Sequence, residues 1–226
     1  MDYEHSLKKV EIHLKAFKQS LVERVDPVSI SLKAKIPFKA IDAREALFHR
    51  SVELLESAVE SLKGDHLVSA SLLARAYQET LSILFYINRK CKSAITNKDP
   101  STLDSHLMRV LSGTRRDDKF RNPISVMTAI DLVEKEIPKF RDMYEELSEY
   151  SHPNWHGTSG LFSKYDKENL WVDYGKNIRL SKSVRDGVAL SLSINSELFI
   201  DIYNEFIDFL PQLVEVCESA LGEYDT

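Results

Sequence analysis

No window of this chain approaches the roughly 18 consecutive apolar residues that a membrane-spanning helix needs, so the sequence predicts no membrane span. The run Met1-Asp2-Tyr3-Glu4-His5 is polar and leads into Lys8 and Lys9 with no apolar core between, which speaks against a secretory signal peptide. The expectation is a soluble, cytoplasmic protein. Cysteine is scarce: Cys91 and Cys217 stand far apart in helical patterns with no second cysteine beside either, which suits neither a disulfide framework nor a zinc site, and both are expected to be buried thiols. A surplus of basic charge is lacking too, because a net charge of −5 argues against coating nucleic acid by bulk electrostatics. HExxH, GxGxxG, P-loop and GxSxG motifs are all missing, as are repeats of solenoid length and low-complexity segments. No cofactor and no metal are expected.

Charge is present in blocks. Between Arg89 and Arg121 nine Lys/Arg face four Asp, a local balance of +5 that leaves −10 for the rest, whereas residues 187–226 hold eight acidic groups and no Lys or Arg. The pattern predicts a basic patch and an acidic end, although each block also fits a solvated loop or helix face. Within the acidic end, Glu197, Asp201, Glu205 and Asp208 recur at helical spacing without histidine partners, as on a solvated face.

Apolar residues recur at intervals of three and four over most of the length, which predicts a mainly α fold: a single-domain helical bundle of about six helices with a small β-hairpin before the last long helix. Leu7, Val10, Leu14, Phe17, Leu21 and Val25 mark an N-terminal helix over residues 3–24 that ends before Asp26-Pro27, followed by an extended linker or short strand over residues 28–41 that carries Pro37. Asp42 has the look of an N-cap with Glu45 completing a capping box, and the helix it opens stops at Gly64. Asp65 can cap the next helix, which runs to about Lys92 and is apolar on more than one face, as a central helix would be. A polar connection over 94–102 and a helix over 103–111 come next, then a surface loop from Gly113 to Pro123. Helical spacing resumes at Val126, with Pro138 as a kink or break. Residues 161–165 and 170–174, around Asp166-Lys-Glu-Asn169, read as the hairpin, and a long helix with Pro211 as a kink follows from about Ser183. The expected parts are residues 1–41 (first helix and linker), 42–157 (helical core), 158–180 (hairpin) and 181–221 (long helix).

Three constellations can carry chemistry. Tyr150-Ser-His152-Pro-Asn154-Trp155-His156-Gly157 sets two imidazoles, an amide, a phenol and an indole into a connecting segment, where functional groups collect; the same residues also serve as helix stop and turn formers. Arg75 and Glu79 lie four apart on one face of the central helix, with Gln78 close by, as a site pair or as an ion pair that fixes packing. Arg44 and His49 form a weaker alternative, a spacing expected once by chance among twelve arginines and seven histidines.

The run Leu147-Ser-Glu-Tyr-Ser-His-Pro-Asn-Trp-His-Gly-Thr158, continued by Gly160 to Leu170, resembles a segment of poorly characterised bacterial helical proteins, as does Leu73-Ala-Arg-Ala-Tyr-Gln-Glu79. The likeness spans roughly residues 45–200. More distantly, the helical layout resembles the HEPN superfamily, many of whose members are toxin or antiviral ribonucleases that act without metal through an Arg-polar-x-x-x-His motif, usually across a dimer. The chain departs from that motif: the position five before His152 is Leu147, and the spacing recurs only at Arg44 to His49. What the resemblance implies is a homodimer in a defence or toxin-type system. In it His152, Arg75 and Glu79 would act as the catalytic group, and Asn154, Tyr150, Trp155 and His156 would bind RNA or a nucleotide. The rival expectation is a non-enzymatic module for a protein partner, in which the same polar residues merely fix the fold.

Overall fold

A computed structural model describes residues 2–117, 119 and 121–222. It is 72% helix with one two-stranded hairpin ahead of the last long helix, and it contains nine helices among the described residues where the apolar pattern suggests about six. The surplus comes partly from two single turns too short to show a period, α2 (Pro27–Ile30) and α8 (Ser159–Phe162). The others are α1 (Tyr3–Ser20), α3 (Lys35–Lys63), α4 (Leu67–Asn97), α5 (Leu103–Leu111), α6 (Val126–Glu134), α7 (Phe140–Ser151) and α9 (Ser181–Gly222). No helix among the described residues is long and apolar enough to cross a membrane.

Several expected boundaries are corrected. The stretch 28–41 is helical at both ends: Asp26 caps α2 through its side chain on Val28 N (3.0 Å), and Pro37 is the third residue of α3. A proline is tolerated there because first-turn N–H groups have no intrahelical acceptor to lose. Asp42 therefore lies inside α3 and caps nothing, and Glu45 is buried with another partner. Asp65 does not cap α4. It takes the left-handed position after α3 (φ 58°), the role expected of Gly64, while His66 N reaches back to Ser61 O at 2.8 Å. α4 continues to Asn97, into the expected polar connection, and α9 runs on through Pro211.

The chain divides into two compact units whose boundaries fall inside α3, α4 and α9. The first comprises Met1–Gln19, Ser51–Gln78 and Pro138–Glu197. Its buried apolar side chains include Val10, Leu55, Leu62, Ala74, Tyr77, Phe140 and Leu192, and Gln78 of α4 donates to Phe140 O (2.8 Å) at the start of α7. The hairpin belongs to this unit. β1 (Ser163–Asp166) pairs antiparallel with β2 (Trp171–Tyr174), Tyr165 opposite Val172 and Asp166 opposite Trp171. Leu161 and Phe162 fall in α8 instead of the first strand, and Leu170 (φ 60°) closes the turn that Asp166 organises by accepting from Glu168 N and Asn169 N. A latch holds the chain beyond β2: Asn177 and Arg185 both donate to the Asp65 carboxylate, and Lys176 donates to Gly64 O at 3.0 Å.

The second unit comprises Ser20–Arg50, Glu79–Ile137 and Leu198–Thr226. Its core gathers Ile41, Ile87, Leu103, Leu107, Phe206, Phe209 and Leu213 with both cysteines. Cys91 and Cys217 are buried free thiols, and burial pushes them up, to about 12 and about 11, far from the reactive thiolate range.

Candidate functional site

The turn after α7 is built by its own polar groups. His152 leaves the helix as its C-cap (φ −85°, ψ 150°), with its N–H on Ser148 O at 3.0 Å, and Pro153 prevents any further turn of helix. Asn154 then closes the loop twice: Oδ1 accepts from Gly157 N (3.1 Å) and Nδ2 donates to Glu149 Oε2 (2.7 Å). Thr158 donates to Asn154 O, and Gly160 N to Trp155 O at 2.7 Å. Gly157 is required by close approach, because a Cβ there would collide with His152 O and stand 2.9 Å from Tyr150 O.

This folding aims the side chains differently from one another. Tyr150 is buried and donates to Glu146 Oε1 (3.3 Å); burial first, and the Glu146 charge second, raise its phenol above the ordinary value, so it stays protonated. His156 sets Nδ1 3.3 Å from Glu149 Oε2 and stands edge-on to Trp155, ring centroids 5.0 Å apart. Trp155 is 50% exposed, and the Arg179 guanidinium lies 5.4 Å from its ring centre while donating to Ser159 O. His152 is exposed, and among the described residues its ring makes no hydrogen bond or ion pair. Asn154, Trp155 and His156 thus share one surface turn with His152, while Tyr150 anchors it from beneath.

The other expected residues go elsewhere. Arg75, half-buried on α4, donates from Nε to Tyr144 Oη (3.2 Å) and packs over that ring at 5.2 Å; no bond joins it to His152. Glu79 follows it on α4 and falls within the second unit. Arg44 is buried there in an ionic knot: it donates to Glu45 and to Tyr203 O (3.3 and 3.2 Å), and its guanidinium lies 3.3 Å from the Tyr203 ring centre. Tyr203 Oη donates to both Glu45 oxygens at 3.0 Å. His49 is exposed and meets Val22 O at 3.0 Å, so the weaker alternative does not assemble into a site.

Sequence reasoning missed Glu149 and Arg179. Glu149 leaves a faint signal, a carboxylate in the last turn of α7 just ahead of two imidazoles. Arg179 leaves none, since only the path of the chain past the hairpin brings it to Trp155. A concavity of about 380 Å³ is lined by Ile95, Lys98, Gln212, Glu215 and Val216 and contains none of the expected site residues. Among the described residues no group of three or more His, Cys, Asp or Glu side chains is placed to hold a metal ion. No protein-family model matches the chain, and neither a curated protein nor a solved structure matches it.

Proposed function

We propose that this chain is an RNA-binding protein of HEPN-like type whose site is the turn after α7, and that the site cleaves RNA without a metal. One observation carries the reading: two imidazoles, one free and one braced by a carboxylate, share a turn with a half-exposed indole that has a guanidinium over its ring. An exposed indole is a stacking platform for an unpaired base, and a guanidinium beside it suits the neighbouring phosphate.

The chemistry follows from the placement. His156, its Nδ1 3.3 Å from Glu149 Oε2, serves through Nε2 as the base for a ribose 2′-hydroxyl. The alkoxide attacks phosphorus, the bond to the 5′-oxygen breaks, and protonated His152 gives its proton to that leaving oxygen; the products are a 2′,3′-cyclic phosphate and a 5′-hydroxyl. Arg179, with donors beyond the one spent on Ser159 O, offsets charge on the phosphorane. Glu149 and Asn154 are positioning residues. Arg75 supports α7 through Tyr144 and is not the phosphate cation in this arrangement.

The second reading, a module for a protein partner, is favoured by a different observation. Phe162, Tyr165, Leu170, Trp171, Val172 and Tyr174 are all exposed, which is a large apolar surface for a hairpin of this size. Fluorescence anisotropy with a labelled single-stranded RNA of mixed sequence separates the two. Trp155→Ala is expected to weaken binding by roughly 5- to 150-fold, the range of one base stack, while Tyr174→Ala leaves it unchanged. RNA affinity that is absent, or indifferent to Trp155, would leave the partner module as the better account.

A further inference from the structure

The second unit carries a surface unlike the turn. On α4 and α5, Tyr86 Oη and His106 Nδ1 lie 2.8 Å apart, which ties the two helices together. Lys90 stands 5.3 Å from the Tyr86 ring centre, and burial first, with the charges of Lys90 and Arg109 after it, pushes the His106 imidazole below its ordinary value. Arg109 reaches on to the end of the following loop, donating to Asn122 O (2.9 Å) and Pro123 O (3.1 Å). The loop is also closed by Thr114 N on Arg121 O at 3.0 Å, and the closure displays Arg115, Arg116, Lys119 and Arg121, all exposed.

These charges are not spent inside the protein. Elsewhere on α4, Arg89 is neutralised by Glu136 and Glu205, and Lys92 by Glu205. The carboxylates of the basic stretch are engaged as well: Asp104 holds Lys39, Asp99 caps Ser101 N and Asp117 caps Lys119 N. Asp118 lies outside the described residues. Among the described residues no carboxylate is bonded to the side chain of Lys90, Arg109, Arg115, Arg116, Lys119 or Arg121. Nor is any large apolar side chain exposed among the described residues of 86–124. Protein interfaces bury an apolar centre depleted of charge, so a face on which Lys and Arg outnumber the exposed Asp99 and Asp117 suits a polyanion better.

We infer that this face of the second unit binds the phosphate backbone of single-stranded nucleic acid. The inference stands on the second unit alone and survives if the turn after α7 proves to bind no RNA. Backbone contacts release counterions, so the logarithm of affinity should fall with the logarithm of salt at a slope of about −0.7 per phosphate neutralised on a single strand. Six contacts would weaken binding by about 300-fold between 50 and 200 mM salt.

The test is anisotropy of a labelled mixed-sequence 20-nucleotide RNA, and its DNA counterpart, over that salt range with the full chain. Arg115→Ala/Arg116→Ala and, separately, Lys119→Ala/Arg121→Ala should each weaken both nucleic acids at low salt and flatten the slope by about 1.4. Each of these side chains is exposed and bonded to no carboxylate, so thermal melts should be unchanged. Trp155→Ala should instead lower affinity with the slope intact, which separates failure of this surface from failure of the turn. Slopes identical to wild type in both double variants would overturn the inference. So would binding of phosphatidylserine vesicles by the wild type without binding of either nucleic acid.

Discussion

Removing the Glu45 carboxylate should be among the costliest single changes in the second unit. Arg44 is 5% exposed and Glu45 8%, and the Tyr203 hydroxyl, which burial holds well above its usual value and so keeps protonated, donates to the same carboxylate. Glu45→Ala leaves a buried guanidinium without its counter-charge and the Tyr203 hydroxyl without its acceptor. Breaking a buried pair from one side costs roughly 3–5 kcal/mol. Here Arg44 keeps two bonds to Tyr203 O and the ring beneath it, so the lower end applies, about 3 kcal/mol. At roughly 2–4 °C per kcal/mol for a chain of this size, the melting temperature should fall by about 6–12 °C. The assay is a thermal melt followed by circular dichroism. Arg44→Met/Glu45→Leu removes both charges at similar volume and should melt well above Glu45→Ala, because desolvation is then relieved along with attraction. If Glu45→Ala melts within about 3 °C of wild type, or the double variant melts no higher than the single one, the guanidinium is not held as argued.

Other outcomes follow from the first unit. Gly157→Ala should disrupt the turn, since its Cβ would need the His152 and Tyr150 carbonyls to give way; lowered melting and weakened RNA binding together are the expected signature. The latch at Asp65 should be acid-labile. Hydrogen bonding from Arg185, then from Asn177, lowers its carboxyl below the ordinary aspartate value, so its stabilisation is complete above the unfolded value, about pH 4, and is lost as pH falls through the lower folded one. Asp65→Asn should reduce the drop in melting temperature between pH 5 and pH 3, although the half-exposed pair makes this a small effect.

How much was legible follows from the physics of each element. Amphipathic helices declare themselves, because burying one face imposes a 3.6-residue period; α1 and α7 are readable for that reason. Pro37 misled because proline punctuates most contexts yet fits a helix's first turn, and Asp65 misled because aspartate both caps helices and tolerates the left-handed position. At the site, the composition of Tyr150–Gly157 marked a turn rich in functional groups, and the structure gathers four of those residues on one surface. Arg75 and Glu79 were chosen for helical spacing, which says which side chains share a face but not what stands opposite. That is why Tyr144, and not His152, meets Arg75. Glu149 and Arg179 needed the tertiary path to be seen at all.

The most direct test of the proposed site is metal-free RNA cleavage by the folded protein. Wild type, His152→Ala and His156→Ala, each shown folded by thermal melts, are incubated with a mixed RNA pool in excess chelator, and the new ends are identified. The account predicts 2′,3′-cyclic phosphate ends from wild type and a rate loss of roughly 100-fold or more for each variant, as general acid and base groups contribute. No cleavage by folded wild type, or equal rates in all three proteins, would contradict it.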